Sequence, residues 1–461
     1  MAIISSYIVP HPPLIIPDIG RGQERGIKET IESFDKIAQE IAEIKPETIV
    51  IATSHSIMYR DYIHISPGKG ARGDFRDFGY KEIAFEASYD EDLARKIVDQ
   101  ARTQGIAAGF EGERNKNLDH GTMIPLHFIN KYYTDYKIIR VAISGLSFLD
   151  HYRFGKCIQK AVNDSSKEVV FIASGDLSHM LKEVGPYGYK EEGLIYDREV
   201  TRAMDTGDFL KFLEFDESFC ETAAECGHRT FIIMAGALDG KNLDSKLLSY
   251  QGPFGVGYAV ASFKVIGEDD NRQFDKMYLD KEMERLKSLK AEEDEYVRLA
   301  REALENYVIN YKRIKKPDNL SKELLENRAG VFVSLDLDGS LRGCIGTISP
   351  TTDSIADEII QNAISAGMED PRFPPVSEEE LERLVYSVDV LGQAEEVNSF
   401  EELDPVEYGV IVSKGYRRGL LLPNLDGVNT VEEQVAIALR KAGISENEDY
   451  KLERFRVVRH T

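Results

Sequence analysis

The chain has 461 residues, 42% hydrophobic and 30% charged, a balance that excludes a disordered chain and leaves room for about two to four globular domains. Its formal net charge of −23, with no long Lys/Arg run, excludes the basic face a nucleic-acid partner requires. Four cysteines (Cys157, Cys220, Cys226, Cys344) without CxxC spacing give neither a disulfide framework nor a zinc knuckle. No apolar stretch reaches membrane-span length, and MAIISSYIVPHPPL lacks the positive n-region of a secretion signal, so a cytoplasmic location is expected.

Short apolar runs alternate with helical patterns through the first part, which predicts βαβ units and an α/β domain with a mainly parallel central sheet and flanking helices. The strands are Ile3–Val9, Thr48–Thr53, Ile63–Ser66, Ile138–Ser144, Val169–Ser174 and Tyr258–Val265. The helices are Gly22–Ile44, Asp90–Gln104, His151–Val162, Arg198–Leu213 and Thr230–Leu238. The stretch Gly267–Asp280 is polar without apolar periodicity. Domains are therefore drawn as 1–267, a linker at 268–285, and 286–461. From about Lys281 to Tyr311, residues such as Leu286, Leu289, Tyr296, Leu299 and Tyr307 recur at helical spacing. Gly330–Leu337 and Leu341–Ile345, joined at Asp338-Gly339-Ser340, read as a hairpin. Helix Ser354–Gly367, strand Val385–Leu391 and a final helix–strand pair complete a C-terminal α+β domain. No fixed-period repeat is present.

Eight of the nine histidines precede the linker. His11 follows the first strand, His55 ends the second, and His179 comes just past VVFIAS. Carboxyl ends of parallel strands open on one edge of a sheet, where ligands bind. His120, in LDHG before a helix, can reach the same rim, and the segment Glu221–His228 (ETAAECGH) offers carboxylates. Two imidazoles and one carboxylate make a facial set for Fe(II), although zinc accepts the same ligands. His64, His127 and His151 fall inside strand or helix patterns and read as structural; His228 stays open. Asp176 is either a support for a metal ligand or a loop Asx turn.

PHPPLI around His11, the strand-end His55, LDHGTMIPL around His120 and SGDLSH around His179 together resemble the LigB family of class III extradiol ring-cleavage dioxygenases. That resemblance covers about residues 3–265. It implies that His11, His55 and Glu225 hold Fe(II). It also implies that His120 and His179 are acid/base groups around a small aromatic, catechol-like substrate, for which pKa values near neutrality are suited. The Memo family, with the same fold, is also similar and has a cysteine at the third ligand position. Here Glu225 and Cys226 are adjacent, so one of the two ligates, and Glu225 is the expected one. Association as a homodimer is a further expectation from these families.

In the second domain, LRGCIG (Leu341–Gly346), DPRFPP (Asp370–Pro375) and GLLLPNLDG (Gly419–Gly427) resemble the AMMECR family. Cys344, between two glycines and next to Arg342, is a candidate nucleophile. The only histidine here is His460, so no general base is evident. Arg342, Asp370 and Arg372 read as solvated or structural salt-bridging residues, with an anion- or partner-binding groove as the alternative. The fusion resembles the architecture of the AmmeMemoRadiSam system, which implies a radical SAM protein as partner. Three functions are thus open: ring-cleaving dioxygenase, metal-binding partner of a radical SAM enzyme without ring-cleavage activity, and zinc hydrolase at the same rim.

Overall fold

A computed structural model describes residues 2–425 and 427–461; Asp426, in the GLLLPNLDG block, lies outside the described residues. Its contacts divide the chain into two units, Met1–Asp280 and Lys281–Thr461. Among the described residues no helix is long and apolar enough to cross a membrane.

The first unit contains β1 (Ile3–Val9), β2 (Thr48–Thr53), β3 (Ile63–His64), β4 (Gly70–Phe75), β5 (Tyr80–Ser88), β6 (Ala108–Gly109), β7 (Lys137–Ala142), β8 (Val169–Ser174), β9 (Lys241–Gln251) and β10 (Tyr258–Glu268). Six of these form one sheet in the order β7-β2-β8-β1-β10-β9. The run β7-β2-β8-β1 is parallel, while β10 and β9 add on antiparallel.

The parallel strands are mostly apolar and nearly all buried because both faces are covered. Val50, Ala52, Phe171 and Ala173 pack on one side with helices Phe148–Asn163 and His228–Ala237. Ile49, Ile51, Val170 and Ile172 pack on the other with helices Lys28–Ile44 and His120–Ile129. Residue Ser174 of β8 is level with Val9 of β1 and Thr53 of β2. Three adjacent strands therefore end on one line, and the loops after them share one rim.

One strand pair and one further strand are additions to the expected pattern. The β4–β5 hairpin and strand β9 are polar and half-exposed, so they lack the apolar runs that mark β2 and β8. The expected linker is also different. Phe274–Glu292 is a helix, held at its start by buried Phe274 and by Asp275, which pairs with Lys156 at 2.7 Å. The long helix expected from Lys281 to Tyr311 is two helices, the second being Glu295–Asn310. Asp294 separates them by accepting hydrogen bonds from Tyr296 N and Val297 N as an N-cap.

The second unit has two antiparallel sheets. One is β12-β11-β13-β18, from β11 (Val331–Leu337), β12 (Ser340–Gly346), β13 (Leu384–Leu391) and β18 (Val457–His460). Helices Glu295–Asn310 and Ile355–Met368 cover its apolar face through Val331, Val333 and Leu335. The other is β14-β17-β15-β16, from β14 (Glu395–Val397), β15 (Gly409–Lys414), β16 (Arg417–Leu421) and β17 (Lys451–Phe455), backed by helix Val431–Ala442. The β11–β12 turn places Asp338 at φ 52° and Gly339 at φ 79°, as a two-residue hairpin demands. In LRGCIG, a Cβ on Gly343 would lie 2.2 Å from Ala366 O, so the strand can seat against helix Ile355–Met368 only with glycine there.

Candidate metal centre

His11 leaves β1 through Pro10 and is fixed twice. Its backbone N–H donates to Asp176 Oδ1 at 2.8 Å, and its Nδ1 lies 3.0 Å from Ser174 Oγ. That hydroxyl donates its own proton to Gly121 O at 2.6 Å, so it accepts from His11 Nδ1–H. The proton is thereby placed on Nδ1, and the Nε2 lone pair faces outward. His55 Nε2 stands 3.0 Å from that nitrogen and Cys226 Sγ 3.4 Å from it.

Tetrahedral ligation with metal–nitrogen bonds of about 2.0 Å and a metal–sulfur bond of about 2.3 Å sets N···N near 3.3 Å and N···S near 3.5 Å. The three donors of His11, His55 and Cys226 thus converge as one ion would require, and the donor set fits a divalent transition metal. Burial holds His11 well below the ordinary imidazole pKa, with the neighbouring histidines adding to it, so the ring is neutral and ligand-ready. Burial raises the Cys226 thiol well above its usual value, and a bound cation is what makes a thiolate there affordable.

Cys226 reaches the rim because two loops touch backbone to backbone. A Cβ on Gly175 would lie 2.1 Å from Gly227 Cα. Gly227 N donates to Asp176 O at 3.1 Å, and Asp176 N lies 3.3 Å from Cys226 Sγ. Glu225, the expected third ligand, is not in this group. Ala224 is left-handed (φ 51°) at the end of helix Glu217–Ala223, which turns the Glu225 carboxylate away to accept from His228 N at 2.5 Å. It supports the start of helix His228–Ala237, and burial raises its pKa to about 7. The donor atom grouped with His11 and His55 among the described residues is thus the Cys226 sulfur, one residue along from the Glu225 carboxylate.

His120 opens helix His120–Ile129, whose N-cap is Asp119. Its ring centroid is 3.9 Å from that of His55 and 5.3 Å from that of His11. Asp119 accepts from Thr53 Oγ1 at 2.7 Å and faces buried Arg140 at 3.7 Å, so the helix start is clamped to β2 and β7. Gly121 is required here, since a Cβ would come within 2.4 Å of Thr53 Oγ1. His179 lies past β8, with its Nε2 buried and unpartnered and Tyr187 at 5.0 Å between ring centroids. Neither histidine titrates near neutrality. Burial, reinforced by His55, lowers each to about 4, so both are neutral bases at pH 7.

Beside His55 and His120 opens a cavity of about 960 Å³. It is lined by Phe78, Phe85 and Arg72 from the β4–β5 segment and by Arg114, Asn117 and Leu118 from the loop before Asp119. Sequence reasoning missed this wall because polar hairpins carry no periodic apolar signal. It also missed Ser174, although that residue directly precedes the Gly175-Asp176 pair of the SGDLSH motif.

The other candidates lie elsewhere or serve the fold. His228 is a satisfied core residue, with Nδ1 3.0 Å from Tyr196 OH and Nε2 2.9 Å from Phe212 O. His151 is likewise bonded to Ser147 O and Ser144 N, and His64 is buried in β3. In the second unit Arg342 is a bidentate partner of Glu380 at 2.6 and 3.2 Å, and Arg372 is paired with Asp370 at 2.7 Å. Both guanidinium groups are thus paired with carboxylates of the same unit, while Arg342 Nη1 is buried without a hydrogen-bond partner. Cys344 lies on β12, an edge strand. Its N–H donates to Asp370 Oδ2 at 2.9 Å, its C=O accepts from Arg372 at 3.3 Å, and Ser334 Oγ donates to its sulfur. The DPR turn thus covers the strand edge around Cys344 with side-chain groups.

The sequence matches the family described as the catalytic LigB subunit of aromatic ring-opening dioxygenase over residues 5–261, and the AMMECR1 family over residues 297–460. A Clostridium acetobutylicum protein is 44% identical over 100% of this chain and 99% of its own length. A Thermotoga maritima protein is 53% identical over 36% of this chain and 98% of its own length. A solved Pyrococcus horikoshii protein shares 35% identity over 36% of this chain and 88% of that one, with a TM-score of 0.34.

Proposed function

The chain belongs to the LigB family of aromatic ring-opening dioxygenase catalytic subunits, joined to an AMMECR1 domain, and from that premise we propose a metal-dependent oxidoreductase centred on His11, His55 and Cys226. The observation that carries this reading is the convergence of two imidazole nitrogens, from the loops after β1 and β2, and the sulfur of Cys226, from the loop before helix His228–Ala237, with His55 Nε2 3.0 Å and Cys226 Sγ 3.4 Å from His11 Nε2. Iron(II) is the ion that fits the family's chemistry. When bound by His11, His55 and Cys226, it would supply a Lewis-acidic, redox-capable centre.

The chain's own residues supply the rest. His120 lines the cavity beside His55 and, being neutral, accepts a proton from an incoming hydroxyl group such as that of a catechol-like diol. Asp119 and Arg140 hold that helix start in place. Phe78, edge-on to His120 with 5.5 Å between centroids, gives the cavity an apolar wall for a flat ring. The test is oxygen uptake by anaerobically purified, iron-loaded protein presented with catechols. Uptake with ring-fission absorbance, abolished in Cys226→Ala, supports the proposal; metal-loaded protein that neither binds nor turns over any diol rules out the substrate class.

The sulfur donor gives a second reading specific support. Thiolate ligands favour zinc and copper(I) over harder ions, and a zinc-loaded centre would activate water for hydrolysis instead. Elemental analysis of the protein as isolated separates the two.

A further inference from the structure

Cys226 belongs to two donor groups at once. Besides the His11–His55 pair, it forms a second trio with Asp176 and His179, whose ligand atoms all lie within 4.8 Å of one another. Two features of that trio are unfavourable as they stand. Asp176 is 7% exposed, and its carboxylate accepts one hydrogen bond, from His11 N, with no Lys or Arg paired to it among the described residues. His179 Nε2 is buried and has no hydrogen-bond partner. A buried carboxylate without a counter-charge and a buried imidazole nitrogen without a proton to share are both relieved by a cation between them.

The geometry points to a second divalent-cation site, formed by Asp176, His179 and Cys226, which shares the Cys226 thiolate with the first site and makes the centre binuclear. It rests on the reading of His11, His55 and Cys226 as a metal site. A thiolate has lone pairs for two ions, and two metal–sulfur bonds of about 2.3 Å separate the ions by roughly 3.5 Å, within the range of binuclear enzyme sites. The mixed set of carboxylate, imidazole and thiolate suits zinc, iron(II) or cobalt(II) and is unsuited to calcium or magnesium. Two divalent ions against one thiolate and one carboxylate leave net positive charge, so the ligand favoured is one with two anionic oxygens. His179 then serves as a ligand, and His120 remains as the proton-accepting histidine of the cavity.

Cobalt(II) titration of the anaerobic full-length apoprotein tests this, read by thiolate-to-cobalt absorption, by elemental analysis and by electron paramagnetic resonance. Wild type is expected to take up two equivalents, with the resonance of the half-loaded protein weakening as the second ion couples through sulfur. His179→Ala is expected to keep one equivalent and its charge-transfer band while losing the second, with unchanged circular dichroism. Saturation of wild type at one equivalent, matched by His179→Ala, overturns the second site and leaves the first intact. No cobalt uptake by folded wild type overturns the first site and the second with it.

Discussion

His11 Nδ1 and Ser174 Oγ lie 3.0 Å apart, and the direction of that bond decides which nitrogen of the ring is free. Ser174 spends its proton on Gly121 O, so it can only accept from His11. Ser174→Ala leaves the tautomer unset, and outer partners of metal-bound histidines are typically worth about 10–100-fold in affinity. A loss of that size is expected from chelator competition on the variant, with a stability loss of about 1–3 kcal/mol because Gly121 O and His11 Nδ1–H are left buried without their partner.

Glu225 and Cys226 are adjacent yet differ in role, which makes a paired comparison informative. Cys226→Ala is expected to lose metal from the first site. Glu225→Gln is expected to retain it, since an amide oxygen can still accept from His228 N. Glu225→Ala leaves that N–H without its acceptor and is expected to cost about 1–2 kcal/mol in denaturant unfolding, with metal still bound.

The contact of Gly175 with Gly227 leaves no room for a methyl group, as the obstructing atoms are backbone. Gly175→Ala is expected to push the Cys226 loop off the rim. Metal content should fall as in Cys226→Ala, with a stability loss on the order of 2 kcal/mol in denaturant titration.

Glu358, fully buried in the second unit, shows a pH dependence with a definite sign. Burial works against its charge. Hydrogen bonds from Thr347, Thr352 and Thr351 outweigh that and hold its pKa below the ordinary 4.5. A carboxyl depressed in the folded state stabilises above its unfolded pKa, and that stability is lost as pH falls through the folded value. Unfolding of wild type should therefore become easier below about pH 4.5, with a shallower slope in Glu358→Gln.

Much of the site was legible in the sequence because strand-end histidines depend only on the period and order of apolar runs. His11, His55 and His179 lie past β1, β2 and β8, where Ile3–Val9, Thr48–Thr53 and Val169–Ser174 place them. The choice between Glu225 and Cys226 was not legible. It depends on a left-handed backbone at Ala224, a conformation alanine does not advertise. The titration of His120 and His179 was not legible either, because burial, which the sequence does not display, lowers both to about 4. The start of helix Phe274–Glu292, up to Asp280, passed for a linker because Phe274 and Asp275 are the helix's buried residues, and a helix solvated nearly all round has no continuous apolar stripe.

X-ray absorption at the edge of the bound metal tests the centre most directly. Ligation by His11, His55 and Cys226 predicts a sulfur scatterer at about 2.3 Å beside nitrogen or oxygen at about 2.0–2.1 Å, with the sulfur shell absent in Cys226→Ala. A first shell of nitrogen and oxygen alone in the wild-type protein contradicts it.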